Sequence, residues 1–131
     1  MGYSKGKEQK ERADMDRQTP EKKKRFYMMQ PVRDFMRDQS GDAKQELNGI
    51  IWKLETEGAL SMPYAEKLDG ENLFAIRVIQ AANIRVFYVY GVKDLVFGIH
   101  GYTKKTEQIP DCERRKAERM VKLLRQRGAI K

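Results

Sequence analysis

Apolar positions along this chain change period twice. Helical spacing over residues 31–58 gives way to strand-like runs over 73–102 and returns after residue 110. "RFYMM" (25–29) is a short run with an aromatic pair and reads as a first strand. Pro31 then opens a helix with Val32, Phe35 and Met36 at i, i+3 and i+4. Ser40-Gly41-Asp42 ends that helix and caps a second, whose Ala43, Leu47, Ile50, Ile51 and Leu54 form a stripe closed by Gly58. Trp52 lies beside the stripe and is expected to pack. Beyond Met62-Pro63-Tyr64, "LFAIRVI" (73–79), "IRVFYVY" (84–90) and "DLVFGIHGY" (94–102) read as an antiparallel meander with hairpin-sized connections. "AEKLDG" (65–70) offers a further edge strand. Pro110 opens a last helix with Ala117, Met120, Val121 and Leu124 inward and Arg114, Arg115, Arg119, Lys122 and Arg125 outward. The expected fold is α+β over residues 24–127. A small twisted antiparallel sheet carries two N-terminal helices and one C-terminal helix on one side. Residues 1–23 hold almost nothing to bury and read as a basic, flexible or weakly helical extension.

Composition narrows the class. The 131 residues suit one domain, and the most apolar run, around Ile84 to Val92, is broken by Arg85, so neither a membrane span nor a signal peptide is expected. A lone cysteine, Cys112, excludes an internal disulfide and suits a reducing cytoplasm; with a single histidine, it also argues against a conventional zinc site. The net charge of +8 sits at the ends: nine Lys/Arg against five acids in 1–25, ten against four in 103–131, and eight against ten between. Basic flanks around a near-neutral centre suit contact with a polyanion, because Lys and Arg displace counterions condensed on phosphates. Charged ends also keep a small protein soluble.

The candidate chemistry interrupts the strands. Arg77 shares a face with Leu73, Ala75 and Ile79, and Arg85 with Phe87 and Val89. An arginine among apolar neighbours is costly unless its head reaches water or a partner such as Glu66 or Asp69. An odd connection between these strands puts the two arginines opposite each other, and an even one separates them by face. In the third meander strand, alternation puts Val96, Gly98, His100 and Tyr102 on one face, followed by Lys104, with Gly98 leaving room for a ligand. Taken singly, these residues are a surface histidine, a sheet-edge tyrosine and a solvated lysine turn. Converging, they offer guanidinium, imidazole, phenol and ammonium groups with no carboxylate cluster to hold a metal, which suits phosphodiester chemistry.

The order of motifs resembles the RelE/HigB-like toxins of type II toxin–antitoxin systems, in particular their phage-derived HigB-type branch. The similarity rests on "FYMMQPVRDFM" (26–36), "LETEGALSMPYAEKLDGENLFAIRV" (54–78), "IRVFYVY" (84–90) and "LVFGIHGYTKKTEQIPDCERRKA" (95–117). Tyr102-Thr103-Lys104-Lys105-Thr106 through Pro110 is its most specific stretch. The resemblance implies a RelE-like fold and a cofactor-free, metal-independent endoribonuclease that cuts mRNA, commonly on the ribosome, by attack of the ribose 2′-OH on the adjacent phosphate. It also implies a cognate antitoxin, often of helix-turn-helix type, through which alone operator DNA is contacted. Carried over, Arg77 and Arg85 would hold the scissile phosphate, His100 would be general acid or base, and Tyr102 and Lys104 would assist. Lys67 and Lys105 would bind neighbouring phosphates, as would Arg114 and Arg115. The alternative is a non-catalytic basic module that tracks phosphates with Arg114, Arg115, Arg119, Lys122 and Arg125, or a phage-derived regulatory protein.

Overall fold

The computed structural model describes residues 21–68 and 72–131, so most of the expected N-terminal extension, and Asp69, lie outside the described residues. The elements are β1 (Arg25–Met28), α1 (Gln30–Arg37), α2 (Gly41–Glu57), β2 (Ala65–Lys67), β3 (Phe74–Val78), β4 (Ile84–Tyr90), β5 (Leu95–Thr103) and α3 (Asp111–Gln126). The helix boundaries follow local chemistry. Pro31 lies in the first turn of α1, the Ser40 hydroxyl accepts the Ala43 N–H at 3.1 Å, and Gly58 ends α2 at φ 86°.

The five strands form one sheet in the order β1-β5-β4-β3-β2. β2 to β5 are the expected antiparallel meander, but β1 joins β5 in parallel, so the sheet is mixed. The long α1–α2–meander connection returns the chain to the sheet far from β1 and brings β5 back beside it in the same direction. The exposed edge of β1 is blunted: its Phe26 N–H donates to the Glu55 carboxylate of α2 at 2.9 Å.

Helices cover both faces, not one. On the first, Val32 and Met36 of α1 and the whole predicted stripe of α2 pack on Ile76, Val78, Ile84, Val86, Tyr88 and Val96. On the second, Ala117 and Leu124 of α3, with Ile130, pack on Ala75, Phe87, Val89, Phe97, Ile99 and Tyr102. Strands apolar on both sides require this second cover. Trp52 is not part of either cluster and remains 48% exposed. Past α3 the chain is tied down by the Val92 N–H, which donates to Ala129 O at 2.9 Å.

The first core contains a titratable anomaly. Tyr88 is fully buried and its hydroxyl has no hydrogen-bond partner among the described residues. Burial pushes the Tyr88 phenol far up, and raises Tyr90 and Tyr102 as well. The unfolded chain therefore releases these protons first, and the folded state loses stability as pH rises above about 10. Tyr88→Phe removes an unpaired polar atom and one of these protons. It is expected to leave neutral stability unchanged or slightly raised. It should also flatten the alkaline loss, read as Tm against pH; an unaltered alkaline slope would contradict the assignment.

Candidate active site

Backbone register assembles the site. The β3–β4 connection, residues 79–83, is odd in length, and Arg77 faces Arg85 directly across the strands. Glu46 of α2 pins that connection by accepting the N–H groups of Ile79, Gln80 and Ala81 at 2.9, 3.2 and 2.7 Å. Arg85 in turn faces Tyr102, so Arg77, Arg85 and Tyr102 form one row across three strands. The adjacent row on the same face is Glu66, Ala75, Phe87 and His100.

The expected grouping of Val96 and Gly98 with His100 and Tyr102 does not hold. A bulge opposite Phe87/Tyr88 inserts one residue into β5 and inverts the alternation beyond it. Val96 belongs to the first core, and a Cβ on Gly98 would lie 2.8 Å from the Phe26 ring. Gly101, three residues on, likewise approaches Phe35 of α1 on that face. Gly98 therefore makes room for β1 and α1, not for a ligand, and His100 and Tyr102 turn to the α3 side.

Arg85 is 4% exposed. Its Nη1 donates to Asn83 Oδ1 at 3.3 Å and Ile84 O at 3.1 Å, its Nε has no hydrogen-bond partner among the described residues, and Glu66 stands off at 3.7 Å. Burial, and then the Arg77 guanidinium, lower its pKa, with Glu66 and Tyr102 acting in the opposite sense. Two like charges directly opposite repel, and a carboxylate at that distance compensates only in part. Arg77 is steered by the α2–β2 connection, where its Nη1 donates to Pro63 O at 3.2 Å. Tyr102 is also buried, its hydroxyl unpartnered among the described residues and its pKa raised by burial, so at neutral pH it is a proton donor and not a base.

Lys104 continues from β5, its N–H donating to Asn83 O at 2.7 Å, and stands between two depressions. One, of about 350 Å³, is lined by Asn83, Arg85, Lys104, Lys105, Thr106 and Glu107, three cations against one carboxylate. The other, of about 470 Å³, is lined by Glu66, Lys104, Glu107, Asp111 and Arg114 among others, and its carboxylates outnumber its cations. Lys105 and Arg114 thus lie beside the site, whereas Arg115 is exposed and lines neither depression. Lys67 is on the opposite face, its Nζ 6.0 Å over the ring of Phe74.

Glu113 is the site residue that sequence reasoning missed. Its Oε2 lies 3.1 Å from His100 Nε2, the two side chains being 15% and 12% exposed. Its signal was there to read: it stands four residues before Ala117, an acid on the apolar stripe of an amphipathic helix.

No curated protein matches the chain. A family profile described as "Phage derived protein Gp49-like (DUF891)" matches residues 34–122, more than half of the sequence, from the second half of α1 through most of α3. The chain therefore belongs to the phage-derived Gp49-like family, consistent with the toxin half of a toxin–antitoxin pair.

Proposed function

We propose that the protein is a RelE/HigB-like toxin, a metal-independent endoribonuclease that cuts mRNA, on the ribosome, by attack of a ribose 2′-OH on the neighbouring phosphate. The observation that carries this reading is the row Arg77–Arg85–Tyr102: two facing guanidinium groups, one of them buried, beside a protonated phenol. An anion in the depression that Arg85 lines relieves the repulsion between the two arginines. A phosphoryl group gaining negative charge in its transition state gains most from such donors.

In this mechanism the scissile phosphate enters from the basic depression beside Arg85, Lys104 and Lys105. Arg77 and Arg85 bind its non-bridging oxygens and Tyr102 donates a further hydrogen bond. His100 moves a proton, and Lys104 stabilises charge at the edge. The neighbouring carboxylate-lined depression suits a base edge with amino groups better than it suits a phosphate. Lys105 and Arg114 contact flanking nucleotides; a helix-turn-helix antitoxin silences the enzyme. The non-catalytic alternative needs only surface charge and gives no reason to bury Arg85.

Expression without a neutralising partner is expected to arrest growth, and His100→Ala or Arg77→Ala to relieve the arrest at equal soluble protein. Normal growth of cells making ample soluble wild-type protein would overturn the reading.

A further inference from the structure

We propose that Glu113 is a positioning residue that makes His100 the general base of this site; the inference rests on the ribonuclease reading and assigns a role within it. A carboxylate only accepts hydrogen bonds, so the proton in the 3.1 Å contact between Glu113 Oε2 and His100 Nε2 belongs to the imidazole. With Nε2–H committed, Nδ1 is the nitrogen left to take a proton. The carboxylate behind the ring then stabilises the imidazolium that results, as the acid of a hydrolytic triad does.

The ring is held in its plane as well as at its nitrogen. Phe87 stacks on it at 6.1 Å and 18°, and Tyr102 at 6.5 Å and 16°. Glu113 is itself held: Lys116 Nζ lies 3.7 Å from its second oxygen, and Cys112 Sγ lies 4.0 Å from the same atom. It sits in the first turn of α3, where unpaired peptide N–H groups favour a negative side chain. The contact fixes which nitrogen exchanges a proton with substrate, and a neutral ring with Nε2–H committed offers a lone pair at Nδ1, the form a base needs.

His100 Nδ1 takes the proton of the 2′-OH as the O2′–P bond forms. The P–O5′ bond breaks, and the leaving oxygen takes a proton from a second donor, for which the Lys104 ammonium is placed. The products are a 2′,3′-cyclic phosphate and a 5′-OH; His100 then releases its extra proton to water and Lys104 regains one from it.

Two measurements test this. Because His100 is the only histidine, imidazole ¹⁵N NMR of the tag-free chain reads its tautomer without overlap. The wild type is expected to show the Nε2–H form. Glu113→Ala, and Glu113→Gln, which keeps the side chain's size, should raise the Nδ1–H population. An unchanged tautomer in both variants would overturn the positioning role.

The second uses RNA carrying a bridging 5′-sulfur at the mapped cut, a leaving group that needs no proton. His100→Ala and Glu113→Ala are expected to stay slow on it, by about 10²-fold or more, whereas Lys104→Ala recovers. Recovery of His100→Ala would make the histidine the acid and overturn the base assignment while leaving the site in place. A wild-type protein that shows the pinned tautomer but cuts no RNA would instead sink the ribonuclease reading, and the base role with it.

Discussion

Replacing Arg85 by methionine is expected to abolish growth arrest, with RNA cleavage down about 10²–10³-fold, without lowering Tm. Arg85 is buried against Arg77, its best counter-charge is 3.7 Å away, and burial already lowers its pKa. Exchanging a poorly compensated buried ion for an apolar side chain of similar length is often neutral or stabilising by about 1–4 kcal/mol. Glu66, left behind, is 37% exposed and can turn to water. Arg85→Lys should not restore activity, because an ammonium lacks the planar fork that grips a phosphate. Thermal unfolding and cleavage are measured on the same preparations. A Tm loss of many degrees with cleavage intact would make Arg85 a structural residue and remove the reason for assigning it to substrate.

Gly98→Val is expected to do the reverse. A Cβ there meets Phe26 Cε1 and Cζ at 2.8 Å, and Val32 Cγ2 lies at 3.7 Å, so β1 and α1 must be pushed from the sheet. Overpacking of this kind costs about 1–3 kcal/mol, read as a lower urea midpoint. Catalysis per folded molecule should persist, because Gly98 faces away from His100. Lost cleavage at unchanged stability would restore the substrate-facing position that simple alternation assigns to this glycine.

The two predictions also mark where sequence was legible. The α2 stripe, the Ser40 and Gly58 caps and the meander all follow local chemistry, so period and punctuation were enough to find them. Arg77 and Arg85 stand out because a charge in an apolar strand is an anomaly in any fold; whether they share a face depends on the parity of the connection, which the sequence leaves open and the register decides. What stayed hidden needed tertiary information. The parallel β1–β5 pairing and the second helical layer are matters of chain path, not of local pattern. The bulge in β5 leaves no mark in an alternating sequence, yet it decides which residues share a face with His100. Glu113 escaped notice because it is thirteen residues away in sequence and contacts His100 only when α3 lies across the sheet. The face of Lys67 was equally out of reach: one step along β2 separates it from Glu66 and puts it on the opposite side of the sheet.

If two arginines paired across β3 and β4 and a carboxylate-held imidazole cut RNA through its own 2′-oxygen, the ends left on the RNA record it. The most direct measurement is the chemistry of the ends left on RNA incubated with ribosomes and purified wild-type protein, with and without a chelator at constant free magnesium, beside His100→Ala. Expected are 2′,3′-cyclic phosphate and 5′-OH ends, the same yield with the chelator, and no cut at a position carrying a 2′-deoxy sugar. Ends bearing a 5′-phosphate, or cleavage that survives the deoxy substitution, would contradict that route.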